Sequence, residues 1–240
     1  MSTTSHVTTL GVDHLGLPDH GPVIPVVVIS DVDLAVALAR ALVAGGVRVI
    51  EVTLRTAAAL DAIAAISAAV PEAVVGAGTV LDAGQARDAA AAGARFAVSP
   101  GLIDDVDQAC RDHELPLLPG AATATEIMAA RARGYRLLKL FPAEVVGGRA
   151  LLRSLAGPFA DMRFCPTGGL TVQTVPEYLA LSNVVVCGGT WLTPADAVLA
   201  QDWERITRLA REAAALVPAR QASWPTSGPE VRAEAVRASR

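Results

Sequence analysis

Lysine is almost absent from this 240-residue chain: its 20 basic residues are 19 arginines and one lysine, Lys139. Histidine is scarce where it would matter. Of the four, His6, His14 and His20 lie in the first twenty residues, leaving His113 alone in the body of the chain, so a His-ligated catalytic metal is not expected. Cysteine occurs three times, as Cys110, Cys165 and Cys187. An odd number without CxxC spacing argues against a disulfide framework or a structural zinc site, and for buried, reduced thiols. Positive charge is also in deficit: 20 basic against 24 acidic residues give a formal net charge of -4. No basic field exists to hold nucleic acid or anionic lipid, and neither is an expected partner. Arg or Asp interrupts every apolar run before about 18 residues, too soon for a transmembrane helix. The first twenty residues lack the basic start and continuous apolar stretch of a secretion signal, so a cytoplasmic location is expected.

Apolar residues are plentiful, at 52% of the chain against 18% charged, which excludes disorder and supplies the core of one large domain. From about residue 22 to 211 one theme recurs: a short Val/Ile/Leu-rich run, a turn with Gly, Pro, Ser or Thr, then an Ala-rich segment of helical spacing. Strands are expected over 23 to 29, 47 to 53, 73 to 77, 95 to 98, 116 to 118, 136 to 141, 162 to 166 and 183 to 187. Asp31, Thr56, Asp82, Asp104, Thr123 and Thr174 are candidate helix caps, and Gly45, Gly46, Gly93 and Gly134 stand where helices should end. Eight alternating units with nearly continuous apolar strands call for an α/β fold, a single-domain (β/α)8 barrel over 19–215. An open doubly wound sheet is the alternative, but no GxGxxG follows the first strand. Residues 1–18 and 216–240 break the pattern and read as flexible arms.

Barrel enzymes keep their chemistry at the carboxyl ends of the strands, and unexpected polar residues gather there. Lys139 sits within Leu137-Leu138-Lys139-Leu140-Phe141-Pro142. A primary amine can lose its proton in apolar surroundings and form an imine with a carbonyl, which arginine cannot do; snorkelling or pairing with an acid is the other reading. In the second strand, alternation puts Val47, Val49, Glu51, Thr53 and Arg55 on one face, so that Glu51 follows two valines into the interior. A carboxylate there suits general acid/base work, or forms a structural pair with Arg55 or Lys139. Thr79 of VVGAGT shares a face with Val75 and Ala77 and either holds a substrate carboxylate or caps the next turn. Ser99-Pro100-Gly101 and Pro119-Gly120 are rigid turns that shape the mouth. The seventh strand runs into Thr167-Gly168-Gly169 and the eighth into Gly188-Gly189-Thr190. Open backbone N–H groups after those two strands suit a phosphate, although Gly-Gly also makes ordinary tight turns.

Seven blocks in order, GPVIPVVVI, ALVAGGVRVIEVTLRT, VVGAGTVLD, FAVSPGL, LKLFPAE, RFCPTGGL and GGTWLTPADA, resemble the bacterial 2-keto-3-deoxy-6-phosphogluconate (KDPG) and 4-hydroxy-2-oxoglutarate aldolases, over about residues 20 to 212. The resemblance implies a class I aldolase, a lyase on a (β/α)8 barrel, usually a homotrimer and needing no metal or organic cofactor. It implies that Lys139 is the Schiff-base lysine and Glu51 the general acid/base. Arg55 and Thr79 would grip the keto-acid carboxylate, and Pro100 and Phe141 would line the pocket. Thr167, Gly168, Gly169, Gly188, Gly189 and Thr190 would meet the far end of the substrate and its phosphate. The implied substrates give pyruvate with glyceraldehyde 3-phosphate or with glyoxylate. Three departures, GGTW where serine is common after the glycines, GGLT for GGIS and LKLF for a second phenylalanine, bear on substrate preference more than on reaction type. Two rivals remain: a phosphate-binding isomerase or synthase using the same glycine loops, and a sugar-phosphate sensor in which Glu51 and Lys139 form a buried salt bridge.

Overall fold

β-branched runs separated by Ala-rich segments fold as a βα repeat because each strand can then be covered by the helix that follows it. The computed structural model describes Val12 and residues 17–216. The expected arms, 1–18 and 216–240, lie outside the described residues apart from Val12, Leu17, Pro18 and Leu216.

The strands are β1 (Val23–Val27), β2 (Val49–Thr53), β3 (Val74–Gly78), β4 (Ala97–Val98), β5 (Leu117–Leu118), β6 (Gly120–Ala121), β7 (Leu137–Leu140), β8 (Arg163–Pro166) and β9 (Cys187–Gly189). The helices are α1 (Ala35–Ala44), α2 (Ala59–Ala69), α3 (Ala83–Ala91), α4 (Asp104–Asp112), α5 (Ala124–Ala132), α6 (Gly148–Ala156), α7 (Val175–Leu179), α8 (Ala195–Leu199) and α9 (Trp203–Ala214). Every strand pair is parallel. One curled sheet runs β5-β4-β3-β2-β1-β9 and a second β6-β7-β8. Isolated parallel bridges, Phe164 with Val184 and Thr167 with Gly188, bring β8 alongside the β9 segment. The result is an α/β fold built on a curled parallel sheet with helices against it.

Most strands keep the expected place with ends moved by one or two residues, and two differ further. The fifth, expected over 116 to 118, does stop at Pro119, which has no N–H to give to a ladder, but pairing resumes at once as β6, beginning at Gly120 where a turn was expected. The last begins at Cys187, where pairing with β1 starts opposite Val23, rather than at Asn183. Hydrophobic runs mark a strand but carry little about where its ladder begins. Asp31, Asp82 and Thr123 cap as expected, Thr123 in a reciprocal box with Glu126. Thr56, Asp104 and Thr174 do not cap with their side chains. Thr56 donates its hydroxyl to the Ile29 carbonyl, Asp104 is already the first residue of α4, and the Thr174 hydroxyl accepts from the Thr171 N–H.

Strand alternation separates two apolar layers. Val23, Val27, Ile50, Val52, Val75, Ala77, Leu138 and Leu140 pack with the helices. Ile24, Val49, Phe96, Val98, Leu118, Leu137 and Cys165 form a second cluster on the inner face of the sheet, joined by the fully buried Val12 and Leu17. The first and last helices meet on the outside, where the Thr207 hydroxyl of α9 donates to the Ala41 carbonyl of α1 at 3.0 Å. The inner cluster fills one end of the concave face, and polar groups follow it along the strands.

Candidate active site

Glu51 stands two residues beyond Val49 on β2, and Lys139 two beyond Leu137 on β7, so both continue the inner face past its apolar layer. Val47 does not share that face; it precedes β2 and packs in the helix-side layer. Glu51 is 2% exposed and Lys139 4%. The Lys139 ammonium donates to Glu51 Oε1 at 3.1 Å, and Lys139 Nζ lies 5.3 Å from the Phe141 ring centroid. Of the two acid–base partners left open for Glu51, the structure selects Lys139.

Glycine makes room for this pair. A Cβ on Gly78 would stand 2.5 Å from Glu51 Cγ and 2.8 Å from Cδ, and one on Gly76 would stand 2.5 Å from the Phe96 ring. The open backbone of VVGAG thus accommodates Phe96 and the carboxyl arm of Glu51, which cross β3. Gly120, paired with Lys139 across β6 and β7, similarly admits the Pro100-Gly101 turn, since a Cβ there would meet the Pro100 carbonyl. Pro100 therefore borders the strand next to the amine.

Thr79 departs from the alternation read in the sequence. Val75 and Ala77 belong to the helix-side layer, but Thr79 has φ 61°, a left-handed backbone that removes it from the regular pleat. Its hydroxyl accepts from Arg55 Nε at 3.1 Å. Thr79 is half-buried and Arg55 exposed, so a guanidinium and a hydroxyl stand together, one residue beyond the Gly78 that packs on Glu51.

Thr167, Gly168 and Gly169 leave β8 with positive φ at both glycines, 104° and 81°. Among the described residues no hydrogen bond takes up the N–H of Gly168 or of Gly169. Thr167 is buried and bridges to Gly188, where a Cβ would crowd the threonine side chain. Gly168 lies beside Phe141 and Pro142, which follow Lys139 and are joined by a cis peptide bond. Gly189 ends β9, packed under the Trp191 ring, and Thr190 is exposed. Thr190 and Trp191 also border an apolar cavity of about 570 Å³ with Val26, Val28 and Leu34; Glu51 and Lys139 are not in its wall.

Burial pushes the Cys165 thiol up to about 12, against the smaller opposing pull of the Thr167 hydroxyl and the Lys139 charge. It packs in the inner apolar cluster, on β8 opposite Lys139 of β7. All three cysteines are free and buried. Among the described residues no group of three or more His, Cys, Asp or Glu side chains is placed to hold a metal ion, and no helix is long and apolar enough to cross a membrane. Sequence reading missed Glu144 and Tyr178. The Tyr178 hydroxyl donates to Glu144 Oε1 at 2.7 Å beside the Gly168-Gly169 turn, and the only signal was the position of Glu144 in LKLFPAE.

The chain is similar over 193 residues to the KHG/KDPG aldolase of Escherichia coli K12, with 53% identity covering 80% of this chain and 91% of that one. It superposes on the crystal structure of the 2-keto-3-deoxy-6-phosphogluconate aldolase of Zymomonas mobilis ZM4 with 3-phosphoglycerate, with a TM-score of 0.82 and 45% identity over 88% of this chain and 99% of that one. It superposes equally on the KDPG aldolase of Legionella pneumophila with pyruvate captured as a covalent carbinolamine intermediate, with a TM-score of 0.81 and 42% identity, covering 84% and 98% of the two chains. The profile of the family described as KDPG and KHG aldolase matches residues 18–209, and with that match over most of its length the chain belongs to the KDPG and KHG aldolase family.

Proposed function

We propose that this protein is a class I aldolase that cleaves 2-keto-3-deoxy-6-phosphogluconate to pyruvate and glyceraldehyde 3-phosphate, and 4-hydroxy-2-oxoglutarate to pyruvate and glyoxylate. The observation that carries the reading is the buried contact of 3.1 Å between Lys139 Nζ and Glu51 Oε1 on the inner face. Glu51 takes a proton from the ammonium, and the freed amine attacks C2 of the keto acid. The carbinolamine loses water with a proton from Glu51, leaving a protonated imine that serves as electron sink. Glu51 then accepts the C4 hydroxyl proton, the C3–C4 bond breaks, the aldehyde departs and the electron pair settles in an enamine. Protonation at C3 and hydrolysis of the imine release pyruvate and restore the lysine. The amine supplies the electron sink that a metal would supply in other aldolases, so the scheme calls for no cofactor.

Arg55 and Thr79 hold the substrate carboxylate, the guanidinium through paired charge-assisted hydrogen bonds. Pro100 and Phe141 wall the keto-acid end. The unpaired N–H groups of Gly168 and Gly169, with Thr167 and the Gly188-Gly189-Thr190 segment, receive the distal end and its phosphate. The two sheets are read as one closed (β/α)8 barrel over 19–215, with β5 and β6 as one interrupted strand; the bridges between β8 and the β9 segment support this. The same reading makes the protein a homotrimer of 24.6 kDa chains in the cytoplasm, a compartment that suits three free thiols.

Borohydride reduction in the presence of pyruvate tests the imine. The expected result is a single three-carbon adduct, located unambiguously by mass spectrometry because the chain has one lysine. An unaltered mass in an enzyme that still cleaves the substrate would overturn the scheme.

A further inference from the structure

The turn after β8 is held from behind by a side chain that makes no contact with the reacting pair. Ala143 N–H donates to the Thr167 carbonyl at 2.8 Å and Glu144 N–H to the Gly168 carbonyl at 3.2 Å, so the segment after β7 runs along the glycine turn. The Glu144 side chain lies against Gly169, where a Cβ would stand 2.9 Å from both its Cβ and its Cγ. Its Oε1 accepts from the Tyr178 hydroxyl at 2.7 Å. Tyr178 is fully buried in α7 and fixed on its other side by Gly148, where a Cβ would stand 2.6 Å from the hydroxyl oxygen. The glycine at 148 also has φ 51°, so the chain leaves that space open at a position where other residues are strained. Arg149 completes the cluster, lying over the Tyr178 ring and paired with Glu177.

A carboxylate beside a turn whose free N–H groups await an anion would repel that anion unless its position were fixed. We propose that Glu144 and Tyr178 form a positioning pair. Glu144 wedges the Thr167-Gly168-Gly169 turn into shape, and the Tyr178 hydroxyl ties the carboxylate back from the space that the substrate's phosphate enters. The inference rests on the reading of that turn as the phosphate end of the site. It assigns the pair to selectivity for a phosphorylated substrate and to none of the bond-breaking steps.

Steady-state cleavage of KDPG and of 4-hydroxy-2-oxoglutarate by the full chain tests this in Tyr178→Phe, Glu144→Ala and Glu144→Gln. Tyr178→Phe frees the carboxylate and Glu144→Ala removes the wedge; each should raise KM for KDPG about tenfold, the effect of losing one hydrogen bond to a charged group. 4-Hydroxy-2-oxoglutarate ends in a carboxylate at C5, one carbon short of the carbon that bears the KDPG phosphate, so its KM should rise clearly less than that for KDPG and its kcat should stay at the parent value. Glu144→Gln keeps the acceptor and the shape and should restore the parent KM for KDPG. A general structural role would lower kcat on both substrates together, and that result, or an unchanged KM for KDPG in both Tyr178→Phe and Glu144→Ala, overturns the proposal. Glu144 is exposed, so its variants keep the test open if Tyr178→Phe folds poorly. A parent enzyme that cleaves only 4-hydroxy-2-oxoglutarate would show instead that the phosphate reading itself fails, and the proposal with it.

Discussion

Gly78→Ala sets the smallest possible change in volume against the most constrained side chain of the site. The added methyl would stand 2.5 Å from Glu51 Cγ and 2.8 Å from Cδ, whereas carbons in contact sit about 3.5–4.0 Å apart. The carboxyl arm must therefore retreat by about 1 Å. Glu51 is buried and tied to Lys139, so the retreat is taken out of the acid–base geometry rather than absorbed by solvent. A misplacement of that size costs about a hundredfold in rate. The backbone raises no objection, because Gly78 is a strand residue without positive φ. Overpacking should cost about 1–3 kcal/mol, offset by about 0.4–1 kcal/mol from the stiffer unfolded chain. The melting temperature should then fall by no more than about 10 °C, leaving the protein folded at 25 °C with about 1% of its activity. Pyruvate release coupled to NADH oxidation and a thermal melt measure the two effects separately. Gly157→Ala, where the new methyl meets nothing within 4 Å, is the control. Undiminished turnover in Gly78→Ala would mean that Glu51 does not act from this position, and would remove it from the mechanism.

Arg55→Ala should raise KM for either keto acid by about 10- to 100-fold, the loss of charge-assisted hydrogen bonds to a carboxylate, with a smaller change in kcat. An unchanged KM would place the carboxylate elsewhere. Away from the site, burial raises the pKa of Asp107, but bonds from Arg111 and Tyr135 and the charges of Arg111 and Arg133 together hold it below the usual carboxylate range. A carboxylate depressed in the folded state contributes stability that is present above its unfolded pKa, near 3.9, and is lost as pH falls through the folded value. Denaturant unfolding should thus show the parent ahead of Asp107→Asn at pH 7 and the gap closing below about pH 4; a gap independent of pH would refute the linkage. Tyr135→Phe removes one bond to the same carboxylate and should cost about 1.5–3 kcal/mol at neutral pH.

Much of the site could be seen before the fold. A chain that spends 19 arginines and one lysine, with that lysine in an apolar strand, points to the amine on composition alone. Period-two spacing from Val49 put Glu51 on the inner face, the structure finds Lys139 there too, two residues beyond Leu137, and the two strands bring them into contact across 88 residues of chain. Thr79 escaped that logic because one left-handed residue ends the alternation, and a threonine gives no warning of positive φ as a glycine would. The pairing of Glu144 with Tyr178 was invisible for a different reason. It joins the loop before α6 to helix α7 across 34 residues of chain, and neither side chain is unusual in its own stretch of sequence. Pro119, by contrast, announced the end of the fifth strand, and only the resumption of pairing at Gly120, inside the expected turn, went unread.

A buried lysine–glutamate pair is also what a purely structural salt bridge looks like, and energetics can separate the two. An ammonium has three donors. Among the described residues Lys139 Nζ makes one hydrogen bond, to Glu51, and otherwise faces the Phe141 ring. A pair kept for stability would be expected to satisfy its remaining protons, because desolvating two charges is seldom repaid by their attraction alone. Lys139→Met alone should therefore leave a buried carboxylate without its partner and destabilise the fold by about 3–5 kcal/mol. Lys139→Met combined with Glu51→Leu should recover that loss, reaching parental stability or exceeding it by about 1–4 kcal/mol. Cleavage should be absent from both. Chemical denaturation of the three proteins decides the matter: a double variant as unstable as the single one would show that the ion pair is there to hold the sheet together, whereas a stable, inert one would show that the fold tolerates two buried charges at a net cost because the reaction requires them.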